Sequence, residues 1–92
     1  MPYEVFETTP EGADALADDD EVSRQTIVTR NGDAWDVDGK VVLVEGSEDA
    51  LDRARSIVED HDGSVSSKAD EIKADIDAEQ DSAAEGIGNI FG

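Results

Sequence analysis

The stretch from Lys40 to Asp60 leaves the chain the fewest ways to fold. Lys40-Val41-Val42-Leu43-Val44-Glu45 is a β-branched and aliphatic run of the kind that forms a buried strand. Gly46 ends it, and Ser47 is followed by Glu48 and Asp49. A serine side chain satisfies an orphan amide at a helix start, and two acids suit the positive end of the helix dipole. The helix predicted from there spans Glu48–Asp60. It gathers Ala50, Leu51, Ala54, Ile57 and Val58 on one face at spacings of three and four. Asp49–Arg53 and Arg55–Glu59 are expected to pair on its outer face, and Gly63 to stop it.

Upstream, Asn31-Gly32 and Asp38-Gly39 are preferred fillers of two-residue hairpin turns, with each glycine expected at positive φ. They divide 24–45 into three predicted strands, Arg24–Arg30, Asp33–Val37 and Lys40–Glu45, an antiparallel β-meander at 24–45. The tight turns would set Val28 opposite Trp35 and Trp35 opposite Val42. Val28, Trp35, Val42 and Val44 would then share the face that meets the helices. Ile27, Thr29, Ala34, Asp36, Val41 and Leu43 would share the other, which is apolar enough to need a cover, either the tail or a second copy of the chain.

Tyr3–Glu7 reads as a brief strand. Thr9 and Pro10 read as the cap and first position of a short helix over Pro10–Ala17, weakened by Gly12. Asp18-Asp19-Asp20-Glu21 lacks the alternation and the glycine of a calcium loop, so it reads as a solvated loop. Residues 64–67 read equally well as a short edge strand or a linker. Lys68–Glu85 reads as a helix capped near Ser67 and Asp70. Its narrow stripe of Ala69, Ile72, Ile76 and Ala83, interrupted by Glu79, carries too little apolar surface to stand alone in water. The chain then runs Gly86-Ile87-Gly88-Asn89-Ile90-Phe91-Gly92, which is flexible and apolar together. The predicted architecture is α+β: a small sheet of three to four mostly antiparallel strands, two packed helices and a C-terminal helix. The expected division is a compact domain over 1–63, then a helix and apolar tail over 64–92.

Charge narrows the setting. Twenty-five acids face seven bases across 92 residues, giving −18, and only Lys40, Lys68 and Lys73 are lysines. Such a chain repels itself at low salt and repels nucleic-acid phosphates. The acids are interleaved with strand and helix patterns instead of forming one tail, which favours a folded protein in a salt-screened medium. The scarce lysine and Asp-rich surface resemble the proteins of extremely halophilic archaea, a class resemblance that implies salt adaptation alone. The Ala54-Arg55-Ser56-Ile57-Val58 run leading to Asp62-Gly63-Ser64-Val65 resembles helix-to-strand returns of ferredoxin-like domains, over a short part of the chain. Met1-Pro2-Tyr3-Glu4 lacks signal-peptide character, and no apolar run reaches the roughly 20 residues of a membrane span. A cytoplasmic protein without membrane contact is expected.

No chemistry-bearing constellation is legible. With no cysteine, thiolate metal sites and cysteine nucleophiles are excluded. His61 is the only histidine and sits between Asp60 and Asp62 at a helix end, where a solvated cap is a simpler reading than a base or a ligand. Asp36 is the acid expected nearest apolar neighbours, at an interface or an edge. Arg24 and Arg30, read on one strand, are too few for a nucleic-acid surface. No phosphate-binding glycine loop occurs. The expectation is therefore a non-enzymatic protein-interaction or self-association module adapted to high salt, with no catalytic, cofactor or metal residues. It would form a homo-oligomer or bind a protein partner through the C-terminal helix and tail, using Ile72, Ile76, Ile87, Ile90 and Phe91. The rival expectation is a ferredoxin-like domain sensing a small molecule or cation in a groove between Trp35, His61 and the helix.

Overall fold

The computed structural model describes residues 2–79. Its elements follow in the order β1 (Tyr3–Thr8), α1 (Pro10–Asp18), β2 (Thr26–Asn31), β3 (Lys40–Glu45), α2 (Glu48–Asp60) and β4 (Ser64–Val65). The described part of a third helix, α3, covers 69–79. The four strands make one antiparallel sheet in the order β2-β3-β1-β4. This is a small α+β fold. Its βαββαβ order, with β3 lying between β2 and β1, is the split-βαβ arrangement of ferredoxin-like domains. No helix among the described residues is long and apolar enough to cross a membrane.

Both helix starts follow from local chemistry. The Thr9 side chain accepts from the Gly12 amide at 3.1 Å, and Ser47 accepts from the Ala50 amide at 3.3 Å. Gly12 weakens α1 as a helix former but is required by packing. A Cβ there would collide with the Thr8 hydroxyl beneath it. At the end of α2, Asp62 takes the left-handed conformation (φ 62°) that was expected of a glycine. Gly63 then donates its amide to Val58 O at 2.8 Å, and a Cβ there would lie 2.6 Å from the Glu7 carbonyl. This glycine lets the chain turn back onto β1, where Ser64 and Val65 pair with Glu7 and Phe6. Residues 64 and 65 are thus a strand.

On its first side the sheet meets α1 and α2. Phe6, Val42 and Val44 pack with Ala13, Leu16, Val22, Leu51, Ala54 and Val58 in one aliphatic cluster. Fully burying such a side chain stabilises the fold by roughly 1.5–3 kcal/mol. On the second side, Val5, Val41 and Leu43 pack with Trp35, Val37, Ile72 and Ile76. The apolar second face therefore has its cover. α3 lies across it with Ile72 and Ile76 at 0% exposure.

The three-stranded meander does not form. β2 pairs directly with β3, Asn31 opposite Lys40 and Val28 opposite Leu43, and residues 32–39 bridge the two strands. Within that bridge Gly32–Trp35 is a 3-10 turn that ends at Asp36 (φ 58°), which is exposed and not packed against apolar neighbours. Gly39 has the expected positive φ (87°), whereas Gly32 does not. Gly32 is needed because a Cβ would strike the Val37 carbonyl. The reason is tertiary. Folding the bridge over the sheet buries Trp35 and Val37 under α3, a burial that two tight turns would not supply. The expected face grouping is corrected accordingly. Val42 and Val44 do meet the helices, but Val28 and Trp35 belong to the opposite side, and Ile27 packs on the first.

Candidate interaction edge

The strand order leaves β2 at the margin of the sheet, with β3 on one flank only. Antiparallel strands alternate residues whose backbone groups point to one neighbour and then to the other. Gly32 donates its amide to Gly39 O at 2.9 Å, so the even-numbered residues of β2 face β3. The amides and carbonyls of Ile27, Thr29 and Asn31 consequently point outward. Among the described residues, no backbone group pairs with them. The Thr29 carbonyl accepts one side-chain bond, from Arg30 Nη1 at 3.0 Å. Thr26, Thr29 and Asn31 are exposed, while Ile27 and Val28 are half-buried, one on each side of the sheet.

Open edges are normally blunted by charge, proline or shortness. This one has six residues, no proline and no acid. It lies inside the run Val22–Gly32, eleven residues without an aspartate or glutamate. No other run in the chain is as long without an acid, which is notable at a net charge of −18. That run is the sequence signal that could have marked the edge. Its glycine, serine and threonine content instead invites a turn-and-strand reading. Arg24 belongs to a 3-10 turn before β2 and not to the strand itself.

The expected contact residues are distributed differently. Ile72 and Ile76 are fully buried against the chain's own sheet, so their stripe is used within the molecule and offers no partner a surface. The outward residues Asp70, Glu71, Asp75 and Asp77 make the rest of α3 acidic. Ile87, Ile90 and Phe91, with Ala83, lie outside the described residues. Ahead of α3, Ser66 and not Ser67 makes the side-chain bond to the backbone: its Oγ accepts the Lys68 amide at 3.1 Å, in the turn before the helix, and donates to Glu7 at 2.6 Å.

Among the described residues, Trp35 and His61, expected to share a groove, lie on opposite sides of the sheet. His61 caps the end of α2 on the first side, next to Gly12, while Trp35 is on the second side. A cleft of about 460 Å³ does open beside Trp35, bounded by Arg30, Ala34, Asp75 and Glu79. Two pairs of its polar groups are already committed: Trp35 Nε1 donates to Asp75 at 2.7 Å, and Arg30 pairs with Glu79 at 3.2 Å. Among the described residues no group of three or more histidines or acids could hold a metal ion.

The acidic loop is built into the fold. Asp19 accepts the Glu21 and Val22 amides, each at 3.1 Å, and binds Arg53 at 2.9 Å. The Arg53 guanidinium, helped by the Val22 amide, holds its carboxyl below the ordinary 3.8. Arg55 binds Glu4 at 2.6 Å and Asp52 at 3.1 Å. Both arginines of α2 therefore prefer these partners to the helix pairs expected from spacing. For Arg53 the reason is that an exposed i, i+4 pair contributes a few tenths of a kcal/mol at most, so it loses to the Asp19 carboxylate already fixed by backbone amides. The chain matches no protein-family model, no curated protein and no solved structure.

Proposed function

We propose that this chain is a non-enzymatic protein-interaction module of a high-salt cytoplasm, and that its contact element is the free edge of β2. The observation that carries the reading is a six-residue strand edge, unpaired among the described residues, lying in the longest acid-free run of a strongly acidic chain. An extended partner segment would add to the sheet there, its main chain supplying hydrogen bonds and its side chains meeting Ile27 and Val28. The charge balance and scarcity of lysine support operation at salt concentrations where screening is short-ranged. The tail residues Ile87, Ile90 and Phe91 are the proposed second contact of the same partner.

A photo-crosslinking residue placed at Thr29 tests this in cells growing at molar salt. A covalent protein adduct is expected there, and none from the same residue placed at Ser56, on the exposed side of α2. Absence of any adduct at Thr29 overturns the reading.

A further inference from the structure

We infer that the partner at the β2 edge is a second copy of this chain, paired antiparallel across a two-fold axis to join two four-stranded sheets into one of eight. The inference rests on the edge being the contact element, and it adds who occupies it. Two molecules of charge −18 repel wherever their surfaces are acidic. The acid-free run Val22–Gly32 is where that repulsion is least, and it coincides with the free edge.

The register follows from the backbone. Outward groups sit on Ile27, Thr29 and Asn31, so the widest overlap puts the axis on Val28 or on Thr29. In both cases Arg30 stands opposite Thr26 or Val28 and never opposite the other Arg30. In both cases also, exposed Arg24 falls level with the segment around exposed Asp33 of the second copy, and this contact repeats at the other end. The edge is thus self-complementary in charge as well as in hydrogen bonding, as a two-fold contact requires. Arg30 is the one device that blunts the edge. It can leave the Thr29 carbonyl while keeping Glu79. A seam of six residues per side is small against the roughly 20–30 of a standard interface, so the dimer depends on concentration.

Light scattering of the purified protein in molar KCl, over a concentration series, reads this directly. A monomer–dimer equilibrium is expected. Thr29→Pro removes an outward amide and spares the β2–β3 ladder, so the dimer weakens by about tenfold or more. Thr29→Glu keeps the amide and sets an acid on each side of the seam, so it also weakens the dimer, increasingly as salt is lowered. Unchanged Trp35 fluorescence shows that either variant is folded. A wild-type monomer at every concentration overturns the inference, as does a dimer indifferent to both variants. A monomer that dimerises only after removal of residues 80–92 also overturns it, because the chain's own tail then holds the edge. A Thr29 crosslink to a protein of another mass, with a monomer in solution, overturns the second copy and leaves the interaction reading standing. No adduct and no dimer end both.

Discussion

The two sides of the sheet are closed by different means. On the first, α1 and α2 meet the sheet mainly through aliphatic and aromatic contacts, from Phe6, Leu16, Val42, Val44 and Val58, with the Arg55–Glu4 ion pair as a polar tie at the rim. On the second, the apolar centre of Ile72, Ile76, Val5 and Leu43 is ringed by polar ties. Tyr3 donates to Asp70 at 2.5 Å, Trp35 to Asp75 at 2.7 Å, and Lys68 Nζ to the Trp35 carbonyl at 2.5 Å. The bond to Asp70 and partial desolvation raise the Tyr3 phenol above its ordinary 10.0. The lesson concerns specificity. The first side is fixed by two capped amphipathic helices held by short connections. α3 has few apolar residues, and the directional bonds set where it lies and how it is turned.

The largest test of this contrast is Phe6→Ala. Phe6 is on the central strand and fully buried, so its loss should cost about 3–5 kcal/mol and unfold both sides together. Urea unfolding in molar KCl measures it. If the second side stayed protected, the two sides would be independent units. Ile76→Ala comes next, at about 2–5 kcal/mol, with amide exchange rising first in α3 and only later in α1 and α2. Simultaneous loss of protection in all three helices would erase the distinction.

Asp75→Ala sharpens it further. Leaving the partly buried Trp35 Nε1 without an acceptor should destabilise by about 1–3 kcal/mol and shift Trp35 emission. A variant as stable as the parent would show that the polar ring is decoration. The smallest effect is expected outside both clusters, at Asp19. Its pKa is depressed in the folded state, so its stabilisation is complete above the unfolded value of 3.8 and disappears as pH falls through the folded value. Wild type should therefore exceed Asp19→Asn in stability at neutral pH, with the gap closing in acid. A gap independent of pH would point to the Asn side chain disturbing the loop instead.

How much of this was legible beforehand differs between neighbouring residues. The bounds of α2, both threonine and serine caps and the strand Lys40–Glu45 could all be read from spacing, whereas the stripe of Ile72 and Ile76 signals only a face needing cover and reads as a contact for a partner. Strand Thr26–Asn31 was legible within two residues at its start. Asn31-Gly32 misled, because hairpin statistics describe an isolated pair of strands, and here the glycine serves a close approach to Val37. The central place of β1 was not legible. Tyr3 pairs with Glu45, far along the chain, and no local pattern encodes such a partner. The free edge was equally hidden, since a strand becomes marginal only through the order of its neighbours.

Sequence alone determined the elements whose energetics are local: the caps, whose donors lie three residues away, the amphipathic face of α2, and the aliphatic run of β3. It also determined the electrostatic character, since charge is a sum over residues and needs no coordinates. Tertiary structure alone decided which strand lies in the middle, which side Trp35 occupies and which acids the arginines hold. Those outcomes depend on contacts between segments dozens of residues apart. Their stability comes from burial and, for Arg53, from a carboxylate already fixed by backbone amides, and both exist only once the chain has closed on itself.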